Sequence, residues 1–292
     1  MENLITLFKE SFIGYSNYLL VEIMRPSWDN YLYALIFVSV AVWLLEILFP
    51  WRKNQGWIRK DFWLDTFYMF FNFFIFNLIV FIALSSFVET KFLEILSFYS
   101  IELESFQVVS LNDFPLAVRL LLFFVITDYV QWGTHILLHK SPWLWNFHKV
   151  HHSVKEMGFA AHLRYHWVET LVYRTMLYIP LAVIGGFKVN DVIFVHLIAL
   201  TIGHLNHANI KLSYGPMKYI FNNPEMHIWH HAKALPKGFS HGVNFGISLS
   251  IWDYIFKTSF VPESGRDIEL GFEGDQVFPK SFLNQEIYPL KK

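Results

Sequence analysis

Residues 31–51, YLYALIFVSVAVWLLEILFPW, put about twenty apolar residues in a row around a single acid, enough to cross a hydrocarbon core about 30 Å thick. In lipid a single segment must satisfy its own backbone polar groups, so a run of this kind folds as a helix. Four further runs follow. Residues 62–88 are very rich in phenylalanine, and 114–139 form a third span. A weaker pair, 167–187 and 190–210, is joined by the Gly-Gly turn GGFKVN. That pair reads either as a crossing hairpin or as a shallow re-entrant unit. Composition agrees with lipid as the solvent: charged residues make up 16% and aromatic residues 19%, against about 25% charged in soluble domains.

The first stretch, MENLITLFKESFIGYSNYLLVEIM, is amphipathic and interrupted by Lys9, Glu10 and Glu22. It lacks a basic leader region and a small-residue cleavage site, and reads as an interfacial helix. From about residue 211 the chain is more polar and reads as a cap. The expected fold is all-α: an integral membrane bundle of about four to five spanning or re-entrant helices with a helical cap. Three parts are expected: 1–113, the interfacial helix and two transmembrane helices; 114–260, the histidine-bearing part; and 261–292, a C-terminal cytoplasmic tail. The net charge of -1 gives no reason to expect nucleic acid as a partner. The absence of cysteine excludes disulfides, thiolate metal sites and iron–sulfur clusters.

Histidine is the abundant metal-capable side chain, with 14 copies. On a helix, positions i, i+3 and i+4 share a face. HxxxH at His135 and His139 therefore pairs two imidazoles, and HxxHH gathers three at His148, His151 and His152. The same spacing recurs at His227, His230 and His231, and His204 and His207 add an i, i+3 pair. These ten imidazoles exceed what one metal takes, so two metals are the natural count. Imidazole suits zinc, copper, iron and nickel. The ligands must be neutral, so such a site fails at acid pH. A storage tract would be contiguous, whereas this spacing is helical. His196 and His241, being isolated, read as structural.

Loop charge orients the spans independently of the histidines. Residues 51–60 carry Arg52, Lys53, Arg59 and Lys60 without an acid. Residues 89–113 carry Lys91 against Glu89, Glu94, Glu102, Glu104 and Asp113. The excess of Lys and Arg places the first connection in the cytoplasm and the second outside. Followed from there, with the weak pair read as a hairpin, every histidine cluster lands on the cytoplasmic face.

The ordered segments DYVQWGTHILLH, PWLWNFHKVHHS, RYHWVE, HANI, PEMHIWHH and NFGISLSIWDYIFKTSF, within about 125–260, resemble the fatty acid hydroxylase / sterol desaturase superfamily of integral membrane di-iron oxygenases. The trailing NFG…WD pattern is similar to its bacterial members. The resemblance implies a catalytic domain over 114–260 and two iron ions as cofactor, replaceable by zinc in purified protein, with O2 as co-substrate. The substrate is expected to be a lipid such as a sterol or an acyl chain. Hydrogen abstraction from a C–H bond would lead to hydroxylation or to desaturation.

The ligands carried over are His135, His139, His148, His151, His152, His207, His227, His230 and His231. His204 is carried with them, although relatives often place that second histidine at i+4. Ile136 stands where arginine is frequent, and Trp167 where proline is frequent; both departures bear on subfamily and substrate. No cytochrome, flavin or iron–sulfur motif is present, so electrons are expected from an external cytochrome- or ferredoxin-type donor and its reductase.

Metal-bound histidines usually donate their other N–H to a carboxylate or carbonyl. Asp128, seven residues before His135 on the same helix face, is a candidate for such a role, with a polar helix contact as the alternative. His166, with Arg164 and Glu169, is another candidate near the site. His162 reads equally as a site neighbour or an interfacial residue. Two other functions fit a histidine-rich membrane protein. A non-redox zinc enzyme uses about three protein ligands and an open position, and a metal transporter usually binds near the bilayer midplane. Ten histidines at one interface argue against both.

Overall fold

The computed structural model describes residues 2–27, 30–186 and 188–291. Helix α1 (Glu2–Met24) packs against α4 (Ile82–Phe98). Helix α2 (Tyr31–Leu48) is capped by Asn30, whose side chain accepts from Tyr33 N at 3.3 Å. Its inward face carries Leu35, Ser39 and Val42, while Phe37, Val40, Leu44 and Leu48 point outward. An apolar outward face is what a lipid-facing helix presents.

Helix α3 (Phe62–Phe70) continues into α4 through two π-helical turns, Phe71–Ile75 and Asn77–Phe81. Each turn carries a buried asparagine whose amide binds a carbonyl. Asn72 donates to the carbonyls of Leu163 and Tyr165, and Asn77 donates back to Phe73 O. The whole rod, Phe62–Phe98, has 37 residues and is about 55 Å long, longer than the span expected over 62–88. The extension is physical: residues 89–98 contain no glycine or proline, and Lys91 pairs with Glu94 at 2.6 Å one turn apart.

Helix α5 (Leu116–Lys140) buries Arg119, Phe123, Thr127, Asp128, Trp132, His135 and His139 along one face. Ser141 ends it and at once caps α6 (Pro142–His152), with proline at the first helical position. Helix α7 (Trp167–Val183) returns along α5, and α8 (Val189–His207) packs on α2, on α5 and on the short 3-10 turn Phe159–Leu163. Helices α9 (Pro224–His230), α10 (Ile251–Ile255) and α11 (Phe282–Ile287) belong to the cap.

The α7–α8 turn reaches as deep as α5 does. Strand β1 (Val109–Ser110), just before α5, pairs in parallel with β2 (Ile184–Gly185), just after α7. Arg119 in the first turn of α5 makes a two-pronged pair with Asp191 in the first turn of α8, at 2.7 and 3.2 Å. Helices α5 and α8 thus start together and end together at histidines. Gly186 closes the turn with φ +94°, and a Cβ there would lie 2.6 Å from Asn112 N. Phe187 of the turn lies outside the described residues. Among the described residues, three helices are long and apolar enough to cross a membrane: Tyr31–Leu48, Phe62–Phe98 and Leu116–Lys140.

Candidate metal centre

Four helices deliver the histidines. The end of α5 brings His135 and His139, α6 brings His148, His151 and His152, the end of α8 brings His207, and α9 with its C-cap brings His227, His230 and His231. Asn223 caps α9 by accepting from Met226 N at 3.0 Å, which fixes where its HxxHH face begins. The rings fall into two buried groups. One holds His135, His139, His148, His152 and His230; the other holds His151, His207, His227 and His231. Within each group the candidate ligand atoms lie within 4.8 Å of one another.

Hydrogen bonds fix most of the tautomers. Nδ1 of His135, His139 and His230 each donates to a backbone carbonyl at 2.8 Å, from Phe245, His241 and Val243 respectively. His148 Nδ1 donates to Glu169 Oε2 at 2.6 Å. In the second group, His151 donates to Arg164 O at 3.1 Å and His207 to Gly203 O at 2.8 Å. An imidazole that donates from Nδ1 keeps a bare lone pair on Nε2. Yet His135 Nε2 faces His148 Nε2 at 3.2 Å, and His207 Nε2 faces His151 Nε2 at 3.3 Å. Two lone pairs at that distance repel, and no proton is left to join them. A cation between them resolves the conflict.

The spacing also fits. Metal–nitrogen bonds of about 2.0–2.1 Å put neighbouring ligand nitrogens roughly 2.9–3.4 Å apart. The remaining Nε2 contacts, His152–His139 at 3.2 Å, His227–His207 at 2.9 Å and His231–His227 at 3.2 Å, match that edge. His230 Nε2 is buried without a hydrogen-bond partner among the described residues. Burial, and then the neighbouring imidazoles, push the pKa of His148, His152, His230 and His231 well below the usual histidine value. His151 and His227 are depressed in the same way. These rings are held neutral, the form that binds metal. The rings of Trp145 and Phe245 wall the five-histidine group, with centroids 4.9 and 5.1 Å from that of His139.

Three residues singled out from sequence lie elsewhere. His204 belongs to neither group: its Nε2 meets Ser39 Oγ at 3.1 Å and its Nδ1 meets His162 Nδ1 at 2.9 Å. An i, i+3 step rotates it away from His207 toward α2, so His162 pairs with it behind the second group. Asp128 is a layer further out than expected, accepting from Ser248 N and Leu249 N and from Trp252 Nε1. One seven-residue step keeps it on the His135 face but about 10 Å along the axis, where the 248–252 turn meets it. His166 caps α7, accepting from Val168 N at 3.1 Å, and its Nε2 meets Glu286 O at 2.8 Å. Glu169, one residue past the capped amide, is the side chain that reaches a histidine of the group.

Sequence reasoning had no access to the carbonyls of residues 241, 243 and 245, nor to Asp253, which accepts four hydrogen bonds beside them. The WD of the trailing motif was the only mark of it.

The sequence model of the fatty acid hydroxylase family matches residues 120–258, a stretch that holds all nine clustered histidines. The chain is 31% identical to an ornithine lipid hydroxylase of Rhizobium tropici over 62% of this chain and 53% of that protein. It is 28% identical to an alkylglycerol monooxygenase of Xenopus tropicalis, over 48% of this chain and 30% of that protein. A methylsterol monooxygenase of Arabidopsis thaliana is 27% identical over 48% of this chain and 46% of its own length. The matched stretch thus spans about half or less of these relatives. No solved structure matches the chain.

Proposed function

Because the fatty acid hydroxylase family model matches residues 120–258, we propose that this chain is a membrane-bound, O2-dependent di-iron oxygenase of that family that hydroxylates a C–H bond of a lipid. The observation that carries the reading is the pair of opposed, proton-free Nε2 contacts, one in each histidine group. Bound iron supplies the activation of O2 that an unactivated C–H bond requires. His135, His139, His148, His152 and His230 would hold one ion, and His151, His207, His227 and His231 the other. Glu169 orients His148, and the rings of Trp145 and Phe245 keep water from the first group. The relatives named hydroxylase or monooxygenase favour hydroxylation over desaturation.

Electrons come from a separate cytochrome- or ferredoxin-type protein with its reductase. Five crossing helices, with the histidine layer on the cytoplasmic face, are supported by the excess of Lys and Arg over 51–60 and by the full depth of the α7–α8 hairpin. The test is metal analysis of gently purified protein beside His148→Ala and His227→Ala, together with lipid mass spectrometry under 18O2. Two irons per chain, reduced in each variant, and one labelled oxygen in the product are expected. A product that forms without O2 or reductant, or metal content indifferent to both variants, rules the reading out.

A further inference from the structure

Three of the five imidazoles in the larger group take their orientation from one short piece of chain. The carbonyls of His241, Val243 and Phe245 receive Nδ1–H of His139, His230 and His135. The intervening residues turn these alternate carbonyls toward the histidines: Gly242 has φ +121° and Asn244 has φ +54°. A Cβ on Gly242 would lie 3.2 Å from His139 Nδ1. Asn244 is tied on both sides, donating to Met226 O and Phe260 O at 2.8 Å and accepting from Phe260 N at 2.8 Å.

The far end of the segment hangs on one carboxylate. Asp253 accepts from Phe245 N at 2.9 Å, Gly246 N at 2.8 Å, Trp132 Nε1 at 3.1 Å and Thr258 Oγ1 at 2.6 Å. It is fully buried, and its neighbours here are all donors. An amide of the same shape offers one oxygen and one NH2, so at least one of these donors would then face another donor.

We propose that Asp253 is a positioning residue for the five-histidine group: by fixing segment 241–246 it holds three carbonyls that set His135, His139 and His230 with Nε2 inward. Among the described residues, no ring of the other group is hydrogen-bonded to this segment. His151 uses Arg164 O, His207 uses its own helix, and Nδ1 of His227 and His231 is buried without a hydrogen-bond partner among the described residues. The two metals therefore differ in what holds their ligands, and a change at Asp253 acts on one of them. This inference rests on reading the histidine groups as metal sites.

The experiment loads the full chain, in detergent, with Co2+ and follows loss of its visible absorbance to a chelator. His230→Ala and His231→Ala assign the two release phases to the two groups. In Asp253→Asn, release from the five-histidine group is expected to quicken by about 10–100-fold, the range seen when a ligand loses its outer partner, while the other phase holds. Thr258→Val removes one donor from Asp253 without cutting a tie to α9, and should give a smaller change on the same side. Thermal unfolding shows that each variant is folded. Both phases unchanged in either folded variant, or both accelerated equally, overturns the assignment. A parent chain that binds fewer than two Co2+ ions overturns the metal reading itself.

Discussion

A histidine whose Nδ1 is already committed can offer a metal only its Nε2, and six imidazoles here are in that state. Glu169 is the one carboxylate among their partners, and its other oxygen accepts from His166 N at 3.3 Å. Glu169→Gln keeps the shape but can satisfy only one of those two donors with its oxygen. Chelator competition should show metal affinity of the five-histidine group lower by at least about tenfold, with the helix content unchanged. His204 gives the opposite expectation. Its ring serves Ser39 and His162, so His204→Gln should retain two metals per chain, while His207→Gln should lose one; equal losses by metal analysis would contradict the grouping. Nine of the ten histidines singled out from sequence share the two groups, because i, i+3, i+4 spacing on a helix converts directly into a shared face. His204 was misplaced because a single i, i+3 pair leaves the direction of each ring open. The carbonyl partners were illegible because a backbone oxygen carries no residue identity.

Among the elements, lengths of apolar runs translated well and their connections did not. The run at 31–51 became α2 and that at 114–139 became α5, since twenty apolar residues have few alternatives in lipid. The π-helical turns and the extension to Phe98 were hidden: Asn72 in the first turn meets carbonyls some ninety residues away, and the charges of 89–98 read as part of a connection. That the weak pair runs alongside α5 was likewise illegible, because it shows only where Arg119 meets Asp191 across the starts of α5 and α8. Both side chains of this pair are buried, so removing one partner strands the other charge. Arg119→Met should cost about 3–5 kcal/mol, and the double variant Arg119→Met/Asp191→Leu should recover most of it. Unfolding in detergent measures both; equal losses in single and double variants would show that the pair does not tie the helices.

At the scale of the whole molecule, residues 261–291 of the segment set apart on sequence as a tail are folded back against both other parts. Phe282 lies edge-on to Phe67, Tyr68 and Phe71, at 4.7–4.9 Å between centroids. Asp275 pairs with Lys155, and the Glu286 carbonyl meets His166 at the start of α7. This docking carries an internal cost. The Glu286 carboxylate is buried, with Oε2 3.4 Å from His166 Nε2, and burial outweighs its neighbours and pushes its pKa up to about 8. A carboxyl with a raised folded pKa stabilises the fold fully below its unfolded value of about 4.3. That contribution falls as pH climbs, and is lost once pH passes through the folded value, because the unfolded chain has already released its proton. Glu286→Gln is neutral at every pH. It should match the parent near pH 4 and exceed it increasingly toward pH 8, by on the order of a few kcal/mol. Thermal unfolding in detergent across that range reads the difference. A gap that does not grow with pH would mean that Glu286 is already ionised in the folded protein, and that docking of the C-terminal segment does not depend on its proton.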